Sequence, residues 1–161
     1  MIRWATAALI AVAQPASALS CMPYWIQDSW HEAVASEDRY VVVAGRFTFD
    51  PSVLPPFGKN EDLPEPVSFI AEFDADVLAG LPGQSRLKGE AELTLDCVAH
   101  WCAGIPQGPL LVFLRQTHDG WASWIGPCTG FIYADRPVNR AHVAACASGG
   151  TCVSAAEAMS Q

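Results

Sequence analysis

The sequence predicts a small, mainly β protein, a five-stranded barrel with a short helix near each end and several disulfide bridges. Five segments show the alternation or the continuous apolar run of β-strands, and two segments near the ends show helical spacing. Six cysteines form an even set that can pair completely. A chain of 161 residues, 51% apolar and only 16% charged, is long enough for one packed domain and is far from the composition of a disordered chain.

Residues 1–20 have the layout of a secretory signal peptide, with a positive charge at Arg3, an apolar run over residues 4–13, and small residues at the end. An apolar run of this length is too short to cross a bilayer, which takes roughly 18 residues or more. We therefore expect an exported protein, periplasmic or extracellular, with no transmembrane segment. Its single domain is predicted to cover residues 21–161.

Two cleavage points satisfy the rule for small residues before a signal-peptide cut. Cleavage after Ala18 leaves Leu19 as the first residue, whereas cleavage after Ser20 leaves Cys21 first. A third interpretation takes residues 18–21 as a lipobox, which would make Cys21 a lipid anchor.

The first half of the domain is predicted as helix, strand, loop and strand. Residues 23–38 carry apolar side chains near helical spacing, and residues 39–49 form a β-rich run in which Gly45 indicates a bulge or bend. Residues 50–66 hold five prolines and are predicted as a loop. Residues 67–77 alternate between apolar and polar side chains, with Ile70 as the exception, as in a half-buried strand.

The second half is predicted as three strands and a helix. Residues 88–98 alternate again, residues 110–114 are continuously apolar, as in a strand buried on both faces, and residues 121–125 form a further strand. Residues 138–147 are predicted as a short helix. Five strands with these helices fit a small closed or half-closed barrel.

The alternation predicts which side chains fill the barrel and which meet solvent. The interior should contain Phe69, Phe73, Val77, Leu93, Leu95, Val112 and Leu114. The opposite faces carry six carboxylates with few cations nearby: Glu72, Asp74, Asp76, Glu90, Glu92 and Asp96. A solvated strand face explains these carboxylates. A Ca²⁺ site or a surface for a basic partner is the alternative.

The composition and the motifs argue against two classes of function. A net charge of -8 opposes nucleic-acid binding, which needs a basic surface. The sequence contains no nucleophile motif, no metalloprotease motif and no glycine-rich phosphate loop, so we predict no catalytic residue, no cofactor and no enzyme activity. Adjacent pairs such as His31-Glu32 and His118-Asp119 are not ready acid–base couples.

Two residue groups have both a structural and a functional interpretation. Aromatic residues at the N-terminus and in turns are expected to pack in the core, with a sugar or protein platform as the alternative; they are Tyr24, Trp25, Trp30, Trp101, Trp121 and Trp124. Cys97, His100 and Cys102 have the spacing of a metal clip, but export to an oxidising compartment favours disulfides over free thiolates, so we predict no metal site. From spacing alone, six cysteines allow 15 connectivities.

Three segments together resemble the netrin-like module, the OB-type barrel of tissue inhibitors of metalloproteinases, here in an exported protein of bacterial type. The first is the sequence Cys21-Met22-Pro23, followed by a helix and a strand over residues 41–45. The second covers residues 77–89 and ends in Lys-Gly. The third covers residues 102–113, in which a Cys-Ala-Gly sequence and a further glycine precede an apolar strand. Asp119-Gly120, Cys128 and a cysteine at the end of the last helix continue the likeness.

The resemblance implies a non-enzymatic module that binds a protein partner, a metalloprotease outside the cytoplasm. In that family the N-terminal cysteine lays its amine and carbonyl on the catalytic zinc, so the implied partner-binding residues are Cys21, Met22, Pro23 and Tyr24. The alternatives are a small periplasmic enzyme of unknown reaction and a lipid-anchored structural protein of the envelope.

The resemblance also implies a disulfide between Cys21 and Cys102. For the remaining cysteines we predict Cys97–Cys128 and Cys146–Cys152, since the glycine-containing segment between the last two is flexible enough to fold back. The sequence departs from the family at position 23, which is Pro where the inhibitors have a second cysteine.

Overall fold

The computed structural model describes residues 21–55, 58–59 and 65–160. The predicted signal peptide and both cleavage points lie outside the described residues. The helices are α1 (Ile26–Ala35), α2 (Pro137–Ala147) and α3 (Ala155–Met159), and a single 3-10 turn spans Pro51–Val53. The strands are β1 (Tyr40–Thr48), β2 (Gly58–Lys59), β3 (Val67–Ala79), β4 (Arg86–Leu95), β5 (Cys97–Val98), β6 (Trp101–Cys102), β7 (Leu110–Gln116), β8 (Trp121–Ile125) and β9 (Ile132–Ala134).

Five of these strands close into a barrel. They follow the order β1-β3-β4-β8-β7, and β7 pairs back to β1. All pairs are antiparallel except β4 with β8, which run parallel. This is the strand order of an OB-type barrel. The predicted fold class, a mainly β barrel of five strands with short terminal helices and disulfides, is confirmed.

Strand β1 lies at the seam of the barrel, where it pairs with both β3 and β7. Its register with β3 shifts between Val42 and Val43, so the predicted irregularity lies just before Gly45. At Gly45 a Cβ would stand 2.4 Å from the carbonyl oxygen of Asp74. The glycine therefore permits the close backbone approach of β1 to β3, and the irregularity next to it bends the strand around the barrel.

The barrel interior holds the predicted residues. Phe73, Leu93, Leu95, Val112 and Leu114 are at most 4% exposed. Phe69 and Val77 were predicted to be buried but are only half-buried, because each lies towards an end of β3 and packs against the rim of the core. Of the carboxylates, Glu72, Asp76, Glu90 and Glu92 are exposed as predicted, whereas Asp74 and Asp96 are half-buried.

A second core lies outside the barrel, between its wall and the helices. It joins Ile26 and Ala33 of α1 and Val143 of α2 to Leu111 and Phe113 of β7. Alternate residues of β7 thus face the barrel interior and the helices. All five residues from Leu110 to Leu114 are at most 1% exposed, and the prediction of a strand buried on both faces is confirmed.

Some short elements were absent from the predictions. They are β9, α3, and the small sheet of β2, β6 and β5. Each is two to five residues long, too short to show a periodic pattern. The small sheet also shortens a prediction, because the strand predicted over residues 88–98 ends at Leu95 and the chain continues in another direction at β5.

The disulfides are Cys21–Cys128, Cys97–Cys102 and Cys146–Cys152. The prediction of Cys146–Cys152 is confirmed, and the prediction of Cys97–Cys128 is wrong. Cys97 and Cys102 stand directly opposite each other in the β5–β6 hairpin, with Cα atoms 4.0 Å apart. A two-residue turn, in which Ala99 has a φ of 51°, brings the two strands together.

The strand faces that carry the carboxylates also have cations close by, whereas few nearby cations were predicted. Lys88 Nζ lies 2.7 Å and Arg86 Nε 2.6 Å from the carboxylate of Asp74, and both cations come from the neighbouring strand β4. Arg140 of α2 lies 3.4 Å from Asp76 and also pairs with Asp135. The prediction missed these pairs because cross-strand register and helix docking place the cations, not sequence proximity.

Candidate functional site

The N-terminal segment, residues 21–24, precedes α1 and has no regular secondary structure. Its first residue, Cys21, is bonded to Cys128 in the loop between β8 and β9, with Cα atoms 5.3 Å apart. The pairing of Cys21 with Cys102 that the resemblance implied is wrong, because Cys102 is bonded to Cys97 across a hairpin. The segment is nevertheless attached covalently to the barrel, and the anchor is the β8–β9 loop.

The anchored segment presents its side chains to solvent. The side chain of Met22 is 76% exposed, and Cys21 and Pro23 are exposed as well. Tyr24 is half-buried and leads into α1. Met22 is one of several large apolar side chains that reach solvent in the described residues, and it belongs to the segment that the disulfide attaches to the barrel.

The loop over residues 126–130 forms the other side of this surface. The amide of Gly126 donates to the carbonyl of Thr129 at 2.7 Å, and an isolated bridge joins Ile125 to Gly130. Gly130 has a φ of 149°, and a Cβ there would lie 2.6 Å from the Cα of Ile125. Only glycine closes this turn, and the turn positions Cys128 for the bridge. Together with Tyr24, the loop borders a shallow, open hollow of about 210 Å³.

A cluster of hydroxyl groups holds the segment and the loop against α1. Ser29 is fully buried inside α1, and its Oγ donates to the carbonyl oxygen of Gly130 at 2.7 Å. The hydroxyl of Tyr133, on β9, contacts the same Oγ and donates to the same carbonyl at 3.0 Å. The hydroxyl of Tyr24 donates to Glu32 at 2.8 Å. The surface is therefore rigid on its inner side.

Both phenols in this cluster stay protonated. Loss of solvent on burial is the main cause that raises the pKa of Tyr24 and of Tyr133 above the usual value. The hydrogen bond and the charge of Glu32 raise the pKa of Tyr24 further. At neutral pH these side chains act as neutral hydrogen-bond donors that support the site.

The predicted candidates elsewhere are not brought together with this surface. His31 bonds through Nε2 to the carbonyl of Cys152, 2.7 Å away, and His118 is exposed in the turn between β7 and β8. The Nδ1 of His100 is buried without a hydrogen-bond partner in the described part of the chain.

The Cys97–Cys102 disulfide occupies the sulfurs that a metal clip would use. Over residues 21–55, 58–59 and 65–160, no group of three His, Cys, Asp or Glu side chains has the arrangement of a metal site.

Residues 21–24 were predicted as partner-binding residues from the sequence, whereas the residues that hold them against the barrel were not predicted. Ser29 lies in the middle of a helix and Tyr133 in a three-residue strand, so neither stands out locally. The loop did carry a signal, because Gly-Pro-Cys-Thr-Gly over residues 126–130 is a turn composition around a cysteine.

The disulfides also bear on the environment of the protein. Three bridges indicate an oxidising, extracytoplasmic environment. None of the described helices has the length and apolar character needed to cross a membrane.

Comparison of the chain with models of protein families, with curated proteins and with solved structures finds no match.

Proposed function

We propose that this protein is an exported, non-enzymatic binding module of the netrin-like type, and that the N-terminal segment, residues 21–24, contacts its protein partner. The observation that carries the proposal is the bridge from Cys21 to the β8–β9 loop, which holds an otherwise irregular and exposed segment on the barrel. A partner that binds a segment already held in place loses little conformational freedom on association.

The chemistry of the segment fits a cleft that accepts an extended chain. Met22 is a flexible apolar side chain, Pro23 restricts the backbone, and Tyr24 adds an aromatic ring at the base of the segment. Apolar and aromatic anchors of this kind fill pockets in a partner. The hollow beside Tyr24 would accept a side chain of the partner in return.

The partner class we propose is a zinc metalloprotease outside the cytoplasm. When Cys21 is the first residue, its α-amine has an ordinary pKa of about 7.7–8.0, so the amine loses its proton readily as it approaches Zn²⁺. The amine and the carbonyl of Cys21 would then bind the metal together. A lipid anchor would need the same Sγ that is bonded to Cys128.

The test begins with mass spectrometry of the mature protein from its native host. We expect a chain that starts at Cys21, and this chain should inhibit at least one enzyme in a panel of secreted zinc metalloproteases such as thermolysin. A variant with one alanine inserted before Cys21 should lose inhibition while its circular dichroism and melting temperature stay unchanged.

The matched control is Val98→Ala, which removes a half-exposed apolar side chain from the β5–β6 hairpin and should leave inhibition intact. A mature chain that begins at Leu19, a lipid on Cys21, or equal inhibition by the alanine-extended variant would refute zinc ligation by the Cys21 amine. If no protease in the panel is inhibited by the chain that begins at Cys21, the proposed partner class is refuted.

A further inference from the structure

A second and larger cleft lies on the other side of Tyr24, between the start of α1, β9 and α2. Its volume is about 520 Å³, within the range of small-molecule sites. Three aromatic side chains line it: Tyr24, Trp25 and Tyr133. The indole of Trp25 is 42% exposed. A tryptophan left half in solvent beside a cleft is apolar surface that a ligand can cover.

The polar lining is uncharged. It consists of two amides and one imidazole, from Gln27, Asn139 and His142, and the lining includes no Lys, Arg, Asp or Glu from the described residues. Phosphates and carboxylates are bound by cations or by clusters of donors, and this lining carries no cation. Aromatic faces can bind cations, but the amides and the imidazole beside them call for a ligand with hydrogen-bonding groups of its own, which favours a neutral polar ligand over a bare cation.

The polar groups offer donors and acceptors together. The Gln27 Nε2 lies 3.0 Å from the His142 Nδ1, and an amide nitrogen only donates, so the amide and the imidazole form one hydrogen-bonded pair at the cleft. Asn139 donates one N–H to the carbonyl of Ala134 at 2.8 Å and retains its oxygen as an acceptor. Hydroxyl groups, which both donate and accept, are the natural counterpart of such a mixed set.

The cleft is preorganised. The hydroxyls of Tyr24 and Tyr133 are engaged with Glu32 and with Gly130, so these residues contribute ring surface as fixed walls. The backbone amide of Trp25 donates to Asp28 at 2.6 Å, which holds the tryptophan at the start of α1. A ligand meets the cleft without having to order it first.

We infer that this cleft binds a neutral saccharide, with one apolar face of the sugar ring on Trp25 and its hydroxyls on Gln27, Asn139 and His142. A pyranose ring combines an apolar C–H face with a rim of hydroxyls, which matches an aromatic surface bordered by amides and an imidazole. The inference is independent of the proposed action on a protease.

The experiment titrates the folded, disulfide-bonded protein with three oligosaccharides: cellotriose and N,N′,N″-triacetylchitotriose, which are neutral, and trigalacturonate, which is anionic. Binding is measured by calorimetry and by the shift of the Trp25 indole N–H signal in ¹H–¹⁵N spectra. We expect at least one neutral trisaccharide to bind and to move that signal. Trp25→Ala should weaken binding by about tenfold or more, which corresponds to about 1.4 kcal/mol.

Two variants separate stacking from folding. Trp25→Tyr keeps an aromatic ring at the cleft and should retain most of the affinity even if Trp25→Ala lowers stability. Ile70→Ala removes another exposed apolar side chain, on β3 and outside the cleft, and should leave saccharide binding unchanged. Absence of binding by both neutral trisaccharides, preference for the anionic one, or equal affinity of the wild type and the Trp25→Ala variant would overturn the inference.

Discussion

Leu93 illustrates how single side chains hold the barrel together. It lies near the C-terminal end of β4, is fully buried and packs within the main core cluster, whereas its neighbour Glu92 points to solvent. One residue of displacement along the strand therefore separates a core position from a surface position.

This contrast predicts the outcome of two alanine substitutions. Leu93→Ala should lower the free energy of unfolding by roughly 2–5 kcal/mol, because it removes buried surface and leaves a cavity. Glu92→Ala should change the free energy of unfolding by no more than about 0.5 kcal/mol. Urea denaturation of both variants measures the difference, and equal losses would mean that the faces of β4 are assigned wrongly.

Asp28 is a single side chain that connects the first and last helices. Its carboxylate accepts from the backbone amide of Trp25 at the start of α1 and from that of Ala155 at the start of α3, at 3.2 Å. Carboxylates stabilise helix N-termini because the first amides have no partner within the helix. One side chain thus fixes the N-terminal helix and docks the C-terminal one.

At the level of elements, ion pairs link the two strands of the β3–β4 hairpin, where Arg86 and Lys88 contact the carboxylate of Asp74. Hydrogen bonds from Arg86 and then from Lys88 lower the pKa of Asp74 to about 2. A carboxyl whose pKa falls on folding stabilises the protein above its unfolded pKa of about 3.9 and loses that contribution as the pH falls through the folded value. The stabilisation from Asp74 is therefore complete near neutral pH and disappears between about pH 4 and pH 2.

Asp74→Asn tests this dependence. The variant should be less stable than the wild type at pH 6, and the difference should shrink as the pH is lowered from 4 towards 2, as followed by thermal melts in a pH series. Glu72→Gln is the matched control, since Glu72 lies on the same strand and has no ion pair in the described part of the chain. A constant difference between Asp74→Asn and wild type at every pH would contradict the assignment.

At the level of the whole molecule, the three disulfides constrain very different lengths of chain. Cys21–Cys128 spans 107 residues and ties the segment before α1 to the β8–β9 loop. Cys97–Cys102 and Cys146–Cys152 span only 5 and 6 residues. In the chain-entropy model a bridge stabilises by restricting the unfolded chain, and the effect grows with the logarithm of the loop length.

The bridges should therefore differ in their effect on stability. Replacing both Cys21 and Cys128 by serine should cost about 4–5 kcal/mol, and the same change at Cys97 and Cys102 about 2 kcal/mol. Guanidinium denaturation of the two double variants measures both values. If the loss of the short bridge costs as much as the loss of the long one, loop length is not what determines the contribution.

Local patterns in the sequence were enough to predict the faces of the strands. Burial of Phe73 and Leu93 followed from alternation, and burial of Val112 followed from the continuous apolar run of its strand, because side-chain direction in a strand alternates from one residue to the next. The Cys146–Cys152 bridge was also predictable from local sequence, since a few flexible residues bring its two cysteines together.

Contacts between residues far apart in the sequence depend on how the complete chain packs. Cys21 reaches Cys128, and Ser29 reaches Gly130, because barrel closure and the docking of α1 place segments more than 100 residues apart in contact. No local pattern encodes that distance, so the resemblance assigned Cys21 to the wrong partner. The same closure assembles the aromatic cleft beside Trp25 from α1, β9 and α2. Spacing along the chain determines which side chains of a strand are buried and which nearby cysteines can pair. The binding surfaces, in contrast, are formed by packing of the complete barrel and its helices, because their residues come from distant segments.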